Sequence, residues 1–200
     1  MGDFAVHSIQ SPEMRNAFLR HLLRDVDVME RMLAEQLFEA SPLRVGAEQE
    51  LCVIDPDFTP SRGAPGILEQ STDPHLTSEI ARYNLEINLD PFLLEGDVMR
   101  KTHEHLNDQW NKTVSLAAEQ GKYLLLCGIL PTINRYHLVP EFMSPQARYK
   151  VLNDIMRMVR GHSFYVQIQG VNELIASLDS VLFEACNTSF QMHLQVPADD

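Results

Sequence analysis

A chain of 200 residues, 44% hydrophobic and 22% charged, is long enough to bury a core without staples and too apolar to be disordered throughout. Its 16 Lys and Arg against 28 Asp and Glu leave a net charge of −12, which repels a phosphate backbone and excludes general nucleic-acid binding; a polyanion such as ATP would need divalent cations in between. Cys52, Cys127 and Cys186 are too few and too scattered for a disulfide framework. With no C-x-x-C, no secretory leader and no apolar run of membrane-spanning length, the expectation is a soluble, cytoplasmic protein with free thiols.

Ser11-Pro12 marks a helix start. Apolar residues at helical spacing (Phe18, Leu22, Val26, Met29, Leu33, Leu37) carry the helix toward Ser41-Pro42. Residues 1–42 therefore read as an N-terminal helical segment, either a docking or oligomer element or, more simply, a helix packed on its own domain. LRVGAEQELCVID (43–55) reads as a strand. Residues 56–75, with Pro56, Pro60, Pro65, Pro74, Gly63 and Gly66, read as a long loop. RYNLEINLDP (82–91) alternates strictly, with Leu85, Ile87 and Leu89 on one face and Asn84, Glu86 and Asn88 on the other.

A helix is predicted over 97–120, stopped by Gly121, and an apolar strand over 122–130. Ser144-Pro145 opens another helix, running to Gly161. A strand is predicted at 163–170, a helix at 172–185 and a last alternating strand at 187–197. Asn-Gly hairpin signals are missing, yet several strands have one polar and one apolar face. The predicted class is α+β, a mostly antiparallel sheet with helices on one face and an open polar side, formed by residues 43–200.

The polar strand faces have unusual content. Glu48 and Glu50 leave one face of the first strand, Glu86 projects with Asn84 and Asn88, and His193 projects with Gln191 and Gln195. Glu79 stands seven residues before Glu86, in helix or loop. No Lys or Arg interrupts these sets. On one sheet, with strands ~4.8 Å apart, they would converge on a patch about 10–15 Å across. Two carboxylates ~5 Å apart repel by about 3 kcal/mol at an effective dielectric near 20, and a proton or a cation relieves this. Carboxylates with one imidazole suit Mg²⁺ or Mn²⁺. A solvated sheet face is the bland reading of any one strand taken alone; the three together point to a metal site.

The run VGAEQEL, then Glu79 and Glu86 in E-x6-E ending in YNLEINLDP, then TSFQMHLQV, resembles the glutamate–cysteine ligase family, closest to its carboxylate–amine ligase branch, related in fold to glutamine synthetase. The likeness spans about 45–197. It implies a glutamine synthetase-like catalytic domain and an enzyme that activates the γ-carboxylate of glutamate with ATP as an acyl phosphate, which an amine such as that of cysteine attacks to give a γ-glutamyl amide, as in glutathione biosynthesis. It further implies that Glu48, Glu79 and Glu86 hold Mg²⁺ (or Mn²⁺) near the γ-phosphate and acceptor carboxylate, and that Glu50 and His193 hold the ion orienting the ATP phosphates. Arg148 and Tyr149 resemble an Arg-Tyr pair of this family that would bind the amino-acid carboxylate, and Arg135, Tyr136 and His137 would line the same mouth.

Family members are longer, which predicts an incomplete domain, the N-terminal portion of a larger protein. The implied partners are ATP and amino acids, with a homo-oligomer allowed and neither nucleic acid nor membrane. Two other readings remain: a non-catalytic metal- or ligand-binding regulatory domain that keeps the fold, and a phosphoguanidine-kinase-like transferase.

Overall fold

The structure, a computed structural model, describes Val6 and residues 11–198. Helix α1 spans Pro12–Ala34; the Ser11 hydroxyl accepts from the Met14 amide, and Pro12 fills the first position, whose N–H would have no partner. It stops at Ala34, short of the expected 41–42. Gln36 turns left-handed (φ 53°), and the Leu37 and Gln36 amides donate back to the Met32 and Leu33 carbonyls at 2.9 and 3.1 Å. A glutamine in that role carries no sequence mark. Nor does α1 pack as the simpler expectation had it: none of its residues is buried among the described residues, and Phe18, Leu23 and Met29 stand open.

Strand β1 (Arg44–Ile54) is the centre of the sheet. The predicted loop after it contains a short helix, α2 (Ala64–Gln70), anchored by buried Ala64 and Ile67. Ala64, Ile67 and Leu68 among prolines and glycines are too few to show a helical period. Then come β2 (Leu76–Ser78), β3 (Asn84–Leu93) and α3 (Val98–Glu119). Gly121 (φ 65°) ends α3, with the Lys122 amide on the Ala117 carbonyl and the Gly121 amide on that of Ala118. Strand β4 keeps only Tyr123–Leu125 of the predicted run, and α4 (Ala147–Arg160) stops at left-handed Gly161.

The predicted helix over 172–185 does not form. Strands β5 (Phe164–Gln169) and β6 (Glu173–Leu178) make a two-stranded antiparallel hairpin across Gly170–Asn172, and residues Val181–Cys186 follow as a 3-10 turn capped by the Ser180 hydroxyl. Pairing with β5 overrides a local preference that is only marginal over so short a stretch. Strand β7 (Phe190–Leu194) completes the set.

The main sheet is antiparallel, in the order β2-β3-β1-β4, with β7 also on β1. One edge of β1 pairs with β3; the other is shared, β7 taking Val45–Gln49 and β4 taking Cys52–Ile54. Leu51, Val53, Leu85, Ile87 and Leu89 pack with Ala64 and Ile67 of α2 and Ala117 of α3, burying the apolar face. The architecture is thus α+β, with a mostly antiparallel sheet.

The opposite face, expected to be open, is partly covered. Ala81 and Tyr83 pack on Leu182 and Ala185 of the 3-10 turn, and Cys52 and Ile54 on Leu130. This second layer covers one end of the polar face and leaves a cleft beside it. The thiols are free, but Cys52 and Cys127 are less scattered than their spacing suggested, with sulfurs 3.9 Å apart. No described helix is long and apolar enough to cross a membrane.

Candidate metal centre

The pleat of β1 sends Glu48 and Glu50 to the polar face, and the register sets Glu50 directly opposite Glu86 of β3. Like charges in that relation destabilise a sheet. Thr77 of β2 pairs with Glu86 from the other side, and Glu79 follows immediately after β2. One carboxylate oxygen each of Glu50, Glu79 and Glu86 lies within 4.8 Å of the other two, all three residues being half-buried. At an effective dielectric of ~20 each ionised pair at that separation costs about 3 kcal/mol. Burial, then the negative charge of Glu86, push the Glu79 carboxyl up to about 7. Without a cation the cluster relieves its repulsion by keeping a proton.

The carboxylates are also oriented. Glu50 Oε2 accepts from the Ser189 amide at 2.7 Å and its hydroxyl at 3.1 Å. Glu86 Oε1 accepts from the Asn88 amide group at 2.7 Å and the Thr77 hydroxyl at 3.2 Å. Glu79 Oε2 accepts from the Ile80 amide at 3.2 Å. Such supporting donors fix ligand orientation around metals.

Arg148 and Tyr149, expected on the resemblance to bind substrate, stand behind this cluster. The Tyr149 hydroxyl donates to the Ser78 carbonyl at 2.8 Å and the Arg148 guanidinium donates to the same oxygen at 3.1 Å, bracing the backbone one residue before Glu79. Burial, then the nearby Glu79 carboxylate, push the Tyr149 phenol up, so it remains a donor. Tyr149→Phe should therefore cost about 1 kcal/mol of stability and weaken Mn²⁺ binding roughly three- to tenfold, read by calorimetry; an unchanged affinity would separate this brace from the cluster.

The second expected group is partitioned differently from the resemblance. The structure puts Glu50, not Glu48, with Glu79 and Glu86, and places Glu48 with His193, Nε2 to Oε2 3.3 Å. Register is the reason. His193 of β7 stands opposite Gly46, which has no side chain, and reaches diagonally to Glu48, while Glu50 faces β3. Arg135, Tyr136 and His137 form one 3-10 turn; His137 packs edge-on against Phe142, and none of the three lines the cleft.

The cleft, about 150 Å³, is lined by Glu50, Glu79, Asn84, Glu184, Ser189 and Gln191 among others. Asn84 is 2% exposed and its Oδ1 has no hydrogen-bond partner. A buried acceptor facing no donor, beside three crowded carboxylates, fits a hard cation held by oxygen. Oxygens bound to one Mg²⁺ at about 2.1 Å lie at most about 4.2 Å apart, so a modest side-chain closure suffices. The volume suits a hydrated ion or a carboxylate rather than a nucleotide, since sites for larger ligands span roughly 300–1,000 Å³.

Glu184 and Ser189 were not singled out from the sequence. Glu184 lay within the predicted helix over 172–185, and Ser189 within a predicted strand whose histidine was the conspicuous residue. Comparison with family models, with curated proteins and with solved structures finds no match to this chain. The resemblance to glutamate–cysteine ligases therefore rests on sequence motifs alone.

Proposed function

We propose that the chain carries the divalent-cation centre of an ATP- and Mg²⁺- (or Mn²⁺-) dependent ligase that joins the carboxylate of glutamate to an amine such as that of cysteine. The observation that carries this reading is the Glu50–Glu79–Glu86 cluster beside the unpartnered Asn84 Oδ1. A cation there supplies neutralisation of phosphate charge, on which phosphoryl transfer depends.

In this reading the chain's residues hold and orient. Glu50 and Glu79 line the cleft with Glu86 against them, Ser189, Asn88 and Thr77 hold the Glu50 and Glu86 carboxylates, and Arg148 and Tyr149 steady the backbone. Glu48 and His193 lie on the more open strip beside it, with His193 54% exposed, where triphosphate could lie. The glutamate γ-carboxylate takes the γ-phosphoryl group of ATP and ADP departs. The amine then attacks the acyl carbonyl, phosphate leaves, the nitrogen loses a proton, and an amide remains.

The small cleft favours one competing reading, a binding domain for an ion or small carboxylate without turnover. The full protein, assayed with ATP, Mg²⁺, glutamate and cysteine, distinguishes the two. ADP release requiring all four, with an amide product, is expected. Saturable Mn²⁺ binding without ADP release would establish the binding domain.

A further inference from the structure

A second cluster stands apart from the carboxylates, where the turn before β2 and the later part of β3 meet α3. One ligand atom each of His75, Asp90 and His105 lies within 4.8 Å of the other two. We propose that these three residues form a second metal site for a borderline divalent cation of the zinc class, with water in the fourth position. Two imidazoles and one carboxylate select such an ion over Mg²⁺, which favours oxygen throughout.

Three observations bear on it. First, His75 Nε2 and Asp90 Oδ2 are 3.2 Å apart. Two ligands of a tetrahedral zinc at about 2.05 Å are separated by about 3.3 Å, so this edge already has the right length. Second, Asp73 Oδ1 lies 2.6 Å from His75 Nδ1 and also accepts the His75 backbone amide at 3.0 Å. With Nδ1–H donated to Asp73, the Nε2 lone pair faces Asp90; a carboxylate behind an imidazole is the usual outer support of a metal-bound histidine.

Third, His105 Nδ1 is shut away from water with no hydrogen-bond partner, while its Nε2 lies 3.3 Å from the Gln109 amide group, whose residue is 5% exposed. The Gln109 oxygen and nitrogen are interchangeable by rotation. With the oxygen toward Nε2–H, the orphaned Nδ1 keeps a lone pair free for an ion. The ring pair is already edge-on, with centroids 5.1 Å apart.

The ion would tie the 71–75 turn to α3. That turn leads directly into β2, and the His75 carbonyl accepts the backbone amide of Asn88, the residue whose side chain orients Glu86, at 2.7 Å. The site owes nothing to the ligase reading, and either can fail without the other.

The competing arrangement is a protonated His75 clamped between Asp73 and Asp90 with no metal. Chelator-treated protein, with excess Mg²⁺ present to occupy the carboxylate centre, is titrated with zinc chloride alone. One equivalent of zinc is expected to bind and raise Tm, and Co²⁺ in its place should give the visible absorption of a four-coordinate site. Asp90→Asn and His105→Ala should each weaken zinc by about 100-fold or more, and Asp73→Asn by about 10–100-fold, whereas Glu86→Gln should leave it unchanged. Should His105→Ala not fold, Asp90→Asn decides, because that side chain is 65% exposed. No zinc uptake under saturating Mg²⁺ would overturn the proposal. So would uptake that survives Asp90→Asn, or uptake that Glu86→Gln abolishes.

Discussion

Replacing Glu86 by glutamine is expected to abolish divalent-cation binding at the cleft and, in the same protein without metal at pH 8, to raise stability. The two effects share one cause. Glu86 faces Glu50 across β1–β3, and their oxygens lie with that of Glu79 inside 4.8 Å. Each ionised pair costs about 3 kcal/mol at an effective dielectric near 20, and solvent reaching these half-buried groups screens part of that. Glutamine is nearly isosteric and keeps an oxygen to accept from Asn88 and Thr77, so the orienting hydrogen bonds persist. A net gain of about 1–3 kcal/mol, or a Tm higher by roughly 3–10 °C for a chain of this size, should follow. With Mn²⁺ added the order reverses, because only the wild type binds the ion that offsets the repulsion. Under the ligase reading turnover falls about a thousandfold or more, while the fold, read by circular dichroism, is kept. A variant that unfolds would mean that Glu86 is structural; one that still binds Mn²⁺ as the wild type does would remove the cluster as the metal centre.

What the sequence made legible was alternation. Leu85, Ile87 and Leu89 against Asn84, Glu86 and Asn88 declare a strand with two unlike faces, and the structure buries the first set under α2 and α3. The same period put Glu48 and Glu50 on one face. Which acids meet was beyond it, because β1 chooses its neighbours through long-range register. Gly46 opposite His193 and Glu50 opposite Glu86 are facts about pairing, not spacing. Segments whose local signal is weak take the structure that tertiary contacts decide. Residues 173–178 pair with β5 instead of coiling, and the 3-10 turn they release carries Glu184 to the cleft. Gln36 ends α1 in a conformation that glycine would have announced. His75 in a turn and His105 in a helix have no shared spacing at all, and only the packing of α3 against the sheet makes them neighbours.

Metal-free stability should fall as pH rises from about 4.5 to about 7, and Glu79 is the residue responsible. Its carboxyl is pushed up to about 7 in the folded chain, against an ordinary value of 4.5, through burial first and the charge of Glu86 second. Between those two pH values the native state holds a proton that the unfolded chain has released, so the slope of unfolding free energy against pH is negative. Below 4.5 both states are protonated and nothing is lost; above 7 the loss is complete. At 1.36 kcal/mol per pH unit the whole amounts to no more than about 3 kcal/mol, and to about 2 after allowing for the part of Glu79 that solvent reaches. His75 also contributes a falling limb, its protonated ring favoured by the hydrogen bond to Asp73 and then by Asp90, but that limb begins near 6.5 and runs upward. Glu79→Gln separates the two, since it should flatten only the lower window. Divalent cation replaces the proton, so Mg²⁺ binding at pH 6 should release close to one proton per site and much less at pH 8, measurable by calorimetry in buffers of different ionisation enthalpy. Release that does not change between pH 6 and 8, together with a Tm flat from pH 5 to 7, would show that Glu79 carries an ordinary carboxylate and that the acids of the cleft do not share a proton.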